Sequence, residues 1–113
     1  MKISIITVTY NSSKTLRDTL NSIISQTYKN IEHIIVDGGS TDETKTILKR
    51  YPNSKKKIYT KSNSGIYEAI NYGIKKAKGN FITILNSDDF YQSENTIANV
   101  VKKIKKNKSI KIF

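Results

Sequence analysis

The sequence predicts an α/β fold, a three-layer, doubly wound and mostly parallel sheet. Three observations carry that prediction. Short apolar runs rich in β-branched residues alternate with segments whose apolar residues recur at helical spacing. The connections between them are short, and polar residues and glycines gather where the apolar runs end. A strand that leads through a helix to the next strand is a βαβ unit, and a series of such units gives a parallel sheet wound with right-handed crossovers.

The elements follow in order. Ile3 to Thr9 is dense in β-branched residues and reads as a buried strand. Tyr10-Asn11-Ser12-Ser13 breaks it and supplies caps for a helix in which Leu16, Leu20, Ile23 and Ile24 share one face. Ile31 to Val36 is the second strand, ending at Asp37-Gly38-Gly39-Ser40. Ser40 and Glu43 have capping-box spacing, which predicts a second helix from Ser40 carrying Ile47 and Leu48 inward until Pro52-Asn53 closes it. A short third strand is expected over Lys57 to Lys61. The next helix places Ile66, Ala69, Ile70, Gly73, Ile74 and Ala77 on one face, with Gly79 as the left-handed residue after its end. Phe81 to Leu85 is apolar on both faces and is expected at the centre of the sheet. A last helix opens at Ser93-Glu94 with Ile97, Val101 and Ile104 inward, and Ile110 to Phe113 reads as the start of another strand.

Composition narrows the classes. A chain of 113 residues makes a single domain with a real core. Hydrophobic residues are 36% of it, and no apolar run approaches the roughly 20 residues of a membrane span. The opening Met1 to Val8 lacks the length and cleavage site of a secretory leader. The absence of cysteine excludes disulfides and thiolate chemistry and fits a reducing compartment. One histidine, His33, excludes a multi-histidine metal cluster, and its place among strand residues reads as structural rather than catalytic. The formal net charge of +11 points to anionic partners, and the lysines concentrate at Lys55 to Lys57 and Lys102 to Lys108.

In an open parallel sheet, ligands bind beyond the carboxyl ends of the strands. Tyr10-Asn11, Asp37 to Ser40 and Asn86-Ser87-Asp88-Asp89 therefore belong at one edge. Adjacent acids at a strand end suit Mg²⁺ or Mn²⁺, hard ions that take one or two carboxylates and complete their shell with substrate phosphates. The same acids also serve as turn and capping residues. Asp37 reads either as an acceptor for a base or ribose or as a local cap. Asn63-Ser64-Gly65, before the long helix, reads as an anion site or simply as a cap. Neither a Gly-x-Gly-x-x-Gly run nor a P-loop occurs.

Four ordered segments carry a family resemblance. Ser4 to Asn11, Ile35 to Asp42, Gly65-Ile66-Tyr67-Glu68-Ala69-Ile70-Asn71-Tyr72-Gly73-Ile74 and Leu85 to Asp89 resemble the motifs of inverting family 2 glycosyltransferases with the GT-A, Rossmann-like fold. The resemblance runs through essentially the whole chain. It implies that Thr9, Asp37 and Tyr10 or Asn11 meet a uracil-type base, that Asp88 reaches the ribose or sugar, and that Asp89 holds Mn²⁺ or Mg²⁺ on the diphosphate. The implied donor is a nucleotide-diphosphate sugar, UDP-sugar first, and the acceptor a glycan or lipid-linked molecule of cell-surface polysaccharide synthesis. The implied location is the cytoplasm, at the inner face of the plasma membrane, with peripheral membrane association and no nucleic acid.

Two positions depart from that pattern. Asn63 stands where relatives often carry an acid, and Asn86 replaces the first acid of Asp-x-Asp. In the resembled family the catalytic base comes from the half of the domain that follows the strand begun at Ile110. The resemblance therefore implies a base beyond Phe113, and Glu68 reads as a helix-surface residue. Residues 1–113 are therefore expected to be the N-terminal donor-binding part of a single GT-A domain, truncated and inactive in transfer alone. The rival reading is a basic α/β module for nucleic acid or anionic lipid. A phospho-receiver-like domain would need acids where Tyr10-Asn11 stand.

Overall fold

The computed structural model describes residues 1–107. Strands β1 (Ile3–Thr9), β2 (Ile31–Asp37), β3 (Lys56–Thr60) and β4 (Phe81–Ile84) alternate with helices α1 (Leu16–Ile24), α2 (Thr44–Arg50), α3 (Ile66–Lys76) and α4 (Thr96–Lys106). All strand pairs are parallel, in the order β3-β2-β1-β4. The chain winds outward from β1 through β2 to β3 and then returns to pair β4 on the other side of β1. The predicted doubly wound α/β class is the observed one.

Both faces of β1 and β2 are covered, which is why their sequences are nearly continuous apolar runs. One face carries Ile6, Ile34 and Val36, packed with Ala69 of α3. The other is filled by two clusters. Ile35 packs with Leu16 and Leu20 of α1 and Ile47 and Leu48 of α2. Ile3, Ile5 and Ile31 pack with Ile23 of α1 and with Ile97 and Val101 of α4. No helix among the described residues is long and apolar enough to cross a membrane.

Several expectations are corrected. Strand β4 lies at the sheet edge among the described residues, not at its centre, and Ile84 is 43% exposed. The reason is that α3 packs over β1 and β2, leaving the same face of β4 half covered. For the same reason Ile66 and Ile74 are exposed, while only Ala69 and Gly73 of the predicted α3 face are buried. Helix α2 begins at Thr44 without the Ser40–Glu43 capping box. Ser40 is drawn instead to the Asp37 carboxylate, and Asp42 accepts the Thr44 amide at 2.9 Å.

Gly79 does not take the left-handed conformation. It is needed for close approach, because a Cβ there would lie 2.5 Å from Ser4 Oγ and 2.8 Å from Ser4 N. The third strand starts one residue earlier than expected, and α4 starts at Thr96 rather than at Ser93-Glu94. The predicted strand at Ile110 to Phe113 lies outside the described residues.

Two polar clusters are built into the core. His33, fully buried, sits between Thr7 Oγ1, 2.8 Å from Nε2, and Tyr51 OH, 3.1 Å from Nδ1. Burial drives its pKa down to about 3, so the ring is neutral. On the opposite face Glu32 accepts from Ser4 Oγ and the Lys78 amide, both at 2.5 Å, and pairs with Lys57 at 3.2 Å. Burial alone would raise its pKa, but these donors hold it below the ordinary carboxylate value.

Candidate functional site

The strand order places the chain's reversal between β1 and β4, and a reversal of this kind opens a crevice at the carboxyl ends of the diverging connections. A cleft of about 340 Å³ occupies that place. Thr9 and Tyr10 from the end of β1, Gly38 after β2, Gly65 and Ile66 at the start of α3, and Ser87 after β4 line it. Tyr10 is 63% exposed there, a broad aromatic face open to a ligand.

The β2 loop is shaped from within by Asp37. One carboxylate oxygen accepts Thr9 Oγ1 at 2.7 Å and Ser40 Oγ at 2.6 Å. The other accepts the amides of Gly39 at 3.1 Å and Ser40 at 2.9 Å. Burial would raise the pKa of Asp37, but the Ser40, Thr9 and Gly39 donors outweigh it and leave the carboxyl below its usual range. A base edge that bonds Asp37 does so by displacing one of these donors. Gly39 completes the loop at φ +97°, a conformation that L side chains rarely adopt.

Asn11, at φ 48°, bonds sideways to this loop. Its amide donates to Ser40 Oγ at 2.9 Å, and its side-chain oxygen accepts the amides of Thr41 and Asp42 at 2.8 and 3.3 Å. Its place in the fold is therefore a brace between the first two loops. The acid segment is a tight turn closed by Asp89 N–H on Asn86 O at 3.1 Å. Asp88 and Asp89 are both exposed at its corner. A contact of 2.9 Å between the Ser12 and Ser87 hydroxyls ties the turn to the β1 loop.

The structure thus brings Thr9, Tyr10 and Ser87 into one cleft. Asp37 and Asn11 do not line it but brace its loops, and Asp88 and Asp89 lie on the turn that carries Ser87. Among the described residues no three histidines, cysteines or acids come together as an all-protein metal cage. Two exposed carboxylates fit a hard divalent ion that draws its remaining ligands from phosphate and water. Asn63 sits at φ 61° in the turn before α3 and offers no carboxylate.

The sequence reading missed the residues that hold the acid turn. Thr15, Thr19, Ser22 and Gln26 recur at i, i+4, i+7 and i+11 along α1 and its end, a polar stripe beside the apolar face. The Thr15 hydroxyl donates to Ser87 O at 2.9 Å, and the Thr19 hydroxyl, 3.0 Å from Ser87 O, donates to Asp89 O at 2.5 Å. Ser22 Oγ accepts the Tyr91 amide at 3.1 Å, and Gln26 donates to Ser93 O at 2.8 Å while accepting the Ile97 amide at 3.0 Å. That spacing was the available signal.

Fold and cleft define an open parallel α/β protein with a candidate ligand cleft at the carboxyl edge of the sheet, between β1 and β4. Residues 4–112 match the family model for glycosyl transferase family 2, and the chain belongs to that family. An uncharacterized glycosyltransferase of Rickettsia typhi is 44% identical over 89 residues, covering 79% of this chain and 28% of its own length. The crystal structure of S. aureus TarS 1-349 in complex with UDP-GlcNAc superposes with a TM-score of 0.88 and 33% identity, over 94% of this chain and 32% of that one. The mannosyltransferase PcManGT from Pyrobaculum calidifontis, in complex with GDP-Man and Mn²⁺, gives 0.85 and 26% identity over 91% of this chain and 32% of that one. The chain therefore spans about a third or less of the length of these proteins.

Proposed function

We propose that this chain is the donor-binding portion of an inverting, metal-dependent glycosyltransferase that uses a nucleotide-diphosphate sugar, UDP-sugar first. One observation carries the reading. The cleft at the β1/β4 reversal unites Thr9 and Tyr10 with Ser87 of the acid turn, in a chain that superposes on a UDP-GlcNAc-bound relative. Thr9, Tyr10, Asn11 and Asp37 form the nucleotide side, directly or by holding the β2 loop. Asp88 addresses the ribose or sugar and Asp89 the cation. Such a cation, when bound, neutralises the charge that builds on the departing diphosphate.

An acceptor hydroxyl then attacks the anomeric carbon opposite the diphosphate. The new glycosidic bond forms as the bond to the diphosphate oxygen breaks, and the configuration inverts. The hydroxyl proton passes to a base that none of the assigned residues supplies. Glu68 is exposed on α3 and is not assigned that role. Residues 1–113 alone are accordingly expected to hold a donor without transferring its sugar. Calorimetric titration with UDP, GDP and dTDP, with and without Mn²⁺, tests the reading. Mn²⁺-dependent UDP binding, lost in Asp89→Ala, is the expected result; UDP binding indifferent to both would overturn it.

The proposed setting is the cytoplasmic face of the plasma membrane, with a glycan or lipid-linked acceptor. Support comes from the placement of charge. Lys2, Lys29 and Lys55 to Lys57 lie where strands begin, and Lys75, Lys76 and Lys78 lie between the end of α3 and β4. This edge is opposite the acid turn, and among the described residues Glu32, already paired with Lys57, is the acid within those strand starts. Lysines near an anionic leaflet contribute about 1 kcal/mol each. Co-sedimentation with phosphatidylserine-containing vesicles, but not with neutral ones, is expected. Equal binding to both removes the proposed setting, and a preference for duplex DNA over vesicles favours a nucleic-acid module instead.

A further inference from the structure

We infer that Thr19 is a positioning residue for the diphosphate-metal site, acting through the backbone of the acid turn. The inference rests on the reading of Asp88 and Asp89 as that site. Thr19 is wholly buried, yet its side chain is polar, and its hydroxyl is spent on the turn. That hydroxyl lies 2.5 Å from Asp89 O and 3.0 Å from Ser87 O, the carbonyls that flank Asp88. A hydroxyl has one proton to give, and the shorter contact assigns it to Asp89 O. Thr15 Oγ1 serves Ser87 O at 2.9 Å, so each carbonyl keeps its own donor.

The consequence is geometric. With the peptides around Asp88 tied to a helix that packs against the sheet, the turn has little freedom to rotate. Both carboxylates remain exposed because all of the tethering is done by main-chain atoms. An ion held by Asp89 depends strongly on where that carboxylate points, since among the described residues no group of three acids, histidines or cysteines surrounds the turn to correct it. Groups that orient metal ligands without touching the ion change metal affinity by about 10- to 100-fold when removed. Ser22 and Gln26 extend the same tether to Tyr91, Ser93 and Ile97, so the turn is also fixed relative to the start of α4.

Thr19→Val keeps the shape and removes the donor, and Thr19→Ser restores the donor. UDP affinity is measured for each with Mn²⁺ and with EDTA, and the ratio of the two affinities is the readout. The expected result is about a tenfold smaller ratio in Thr19→Val, with unchanged affinity in EDTA and a normal ratio in Thr19→Ser. A merely structural role would lower both affinities together, and that outcome overturns the inference, as does an unchanged ratio. If Thr19→Val does not fold, Thr15→Val at the exposed neighbouring donor decides: a reduced ratio supports the tether and an unchanged one overturns it. A wild-type ratio near one removes the functional reading itself and this inference with it.

Discussion

His33 should make the protein acid-sensitive well above the range where carboxylates titrate. Its ring is fully buried, and burial takes its pKa from 6.5 to about 3. The sign follows from proton uptake. Below pH 6.5 the unfolded chain binds a proton at this ring and the folded chain does not, so stability falls as pH falls. Between pH 7 and pH 5 the unfolded state gains about 0.7 of a proton, and the difference in stability integrates to about 2 kcal/mol. Thr7 and Tyr51 hydroxyls flank both ring nitrogens, and among the described residues no carboxylate pairs with the ring to stabilise an imidazolium.

The chain holds one histidine, so this arm of the pH profile belongs to a single group. Glu32 and Asp37, whose pKa values are lowered, contribute stability that is lost only at more acid pH. Urea unfolding at pH 7 and pH 5, for the wild type and for His33→Asn and His33→Gln, is the assay. The wild type should lose about 2 kcal/mol across that interval, and the variants, whatever their absolute stability, should lose much less. Parallel losses in all three proteins would refute the reasoning, because the proton uptake would then lie elsewhere.

Gly79→Ala should destabilise the fold by about 1–3 kcal/mol, since the added methyl meets the backbone of β1 rather than a flexible side chain. Thermal and urea denaturation check this, and a neutral result would mean that the α3–β4 connection can shift away from Ser4. Asp37→Asn should cost about 1.5–3 kcal/mol, because an amide cannot accept all four of the donors now aimed at the carboxylate. Its effect should shrink with acidification. The native carboxylate's advantage is present above about pH 4 and lost as pH falls through its lowered pKa, so the two stability curves should converge in acid.

The alternation of strands and helices was legible because its two periodicities are local properties of the chain. Buried β1 and β2, the inward Leu16, Leu20 and Ile23, and the core position of His33 all follow from such patterns. The carboxyl-edge gathering of the three loops was legible too, since parallel topology brings strand ends together whatever their composition. Other features depend on contacts between distant segments. Gly79 looks like a helix terminator in sequence, and only its approach to Ser4 shows that space, not φ, requires glycine. Ser40 and Glu43 have the spacing of a cap, but Asp37 competes for the Ser40 hydroxyl and wins through a charge-assisted bond. Strand β4 has a central strand's composition at a described edge, because apolar content reports that a face meets cover without telling which element supplies it. The α1 stripe was overlooked because threonine and serine on a helix usually face solvent or their own backbone.

That stripe separates where the acid turn sits from which side chains it presents. Between Ser87 and Ser93 the helix grips carbonyl and amide groups, which every ordinary residue provides. Phe90 and Gln92 are exposed and carry none of these bonds. Their identities can therefore change without moving Asp88 or Asp89, which leaves this segment free to diversify what it presents beside the acid turn while the two acids keep their place.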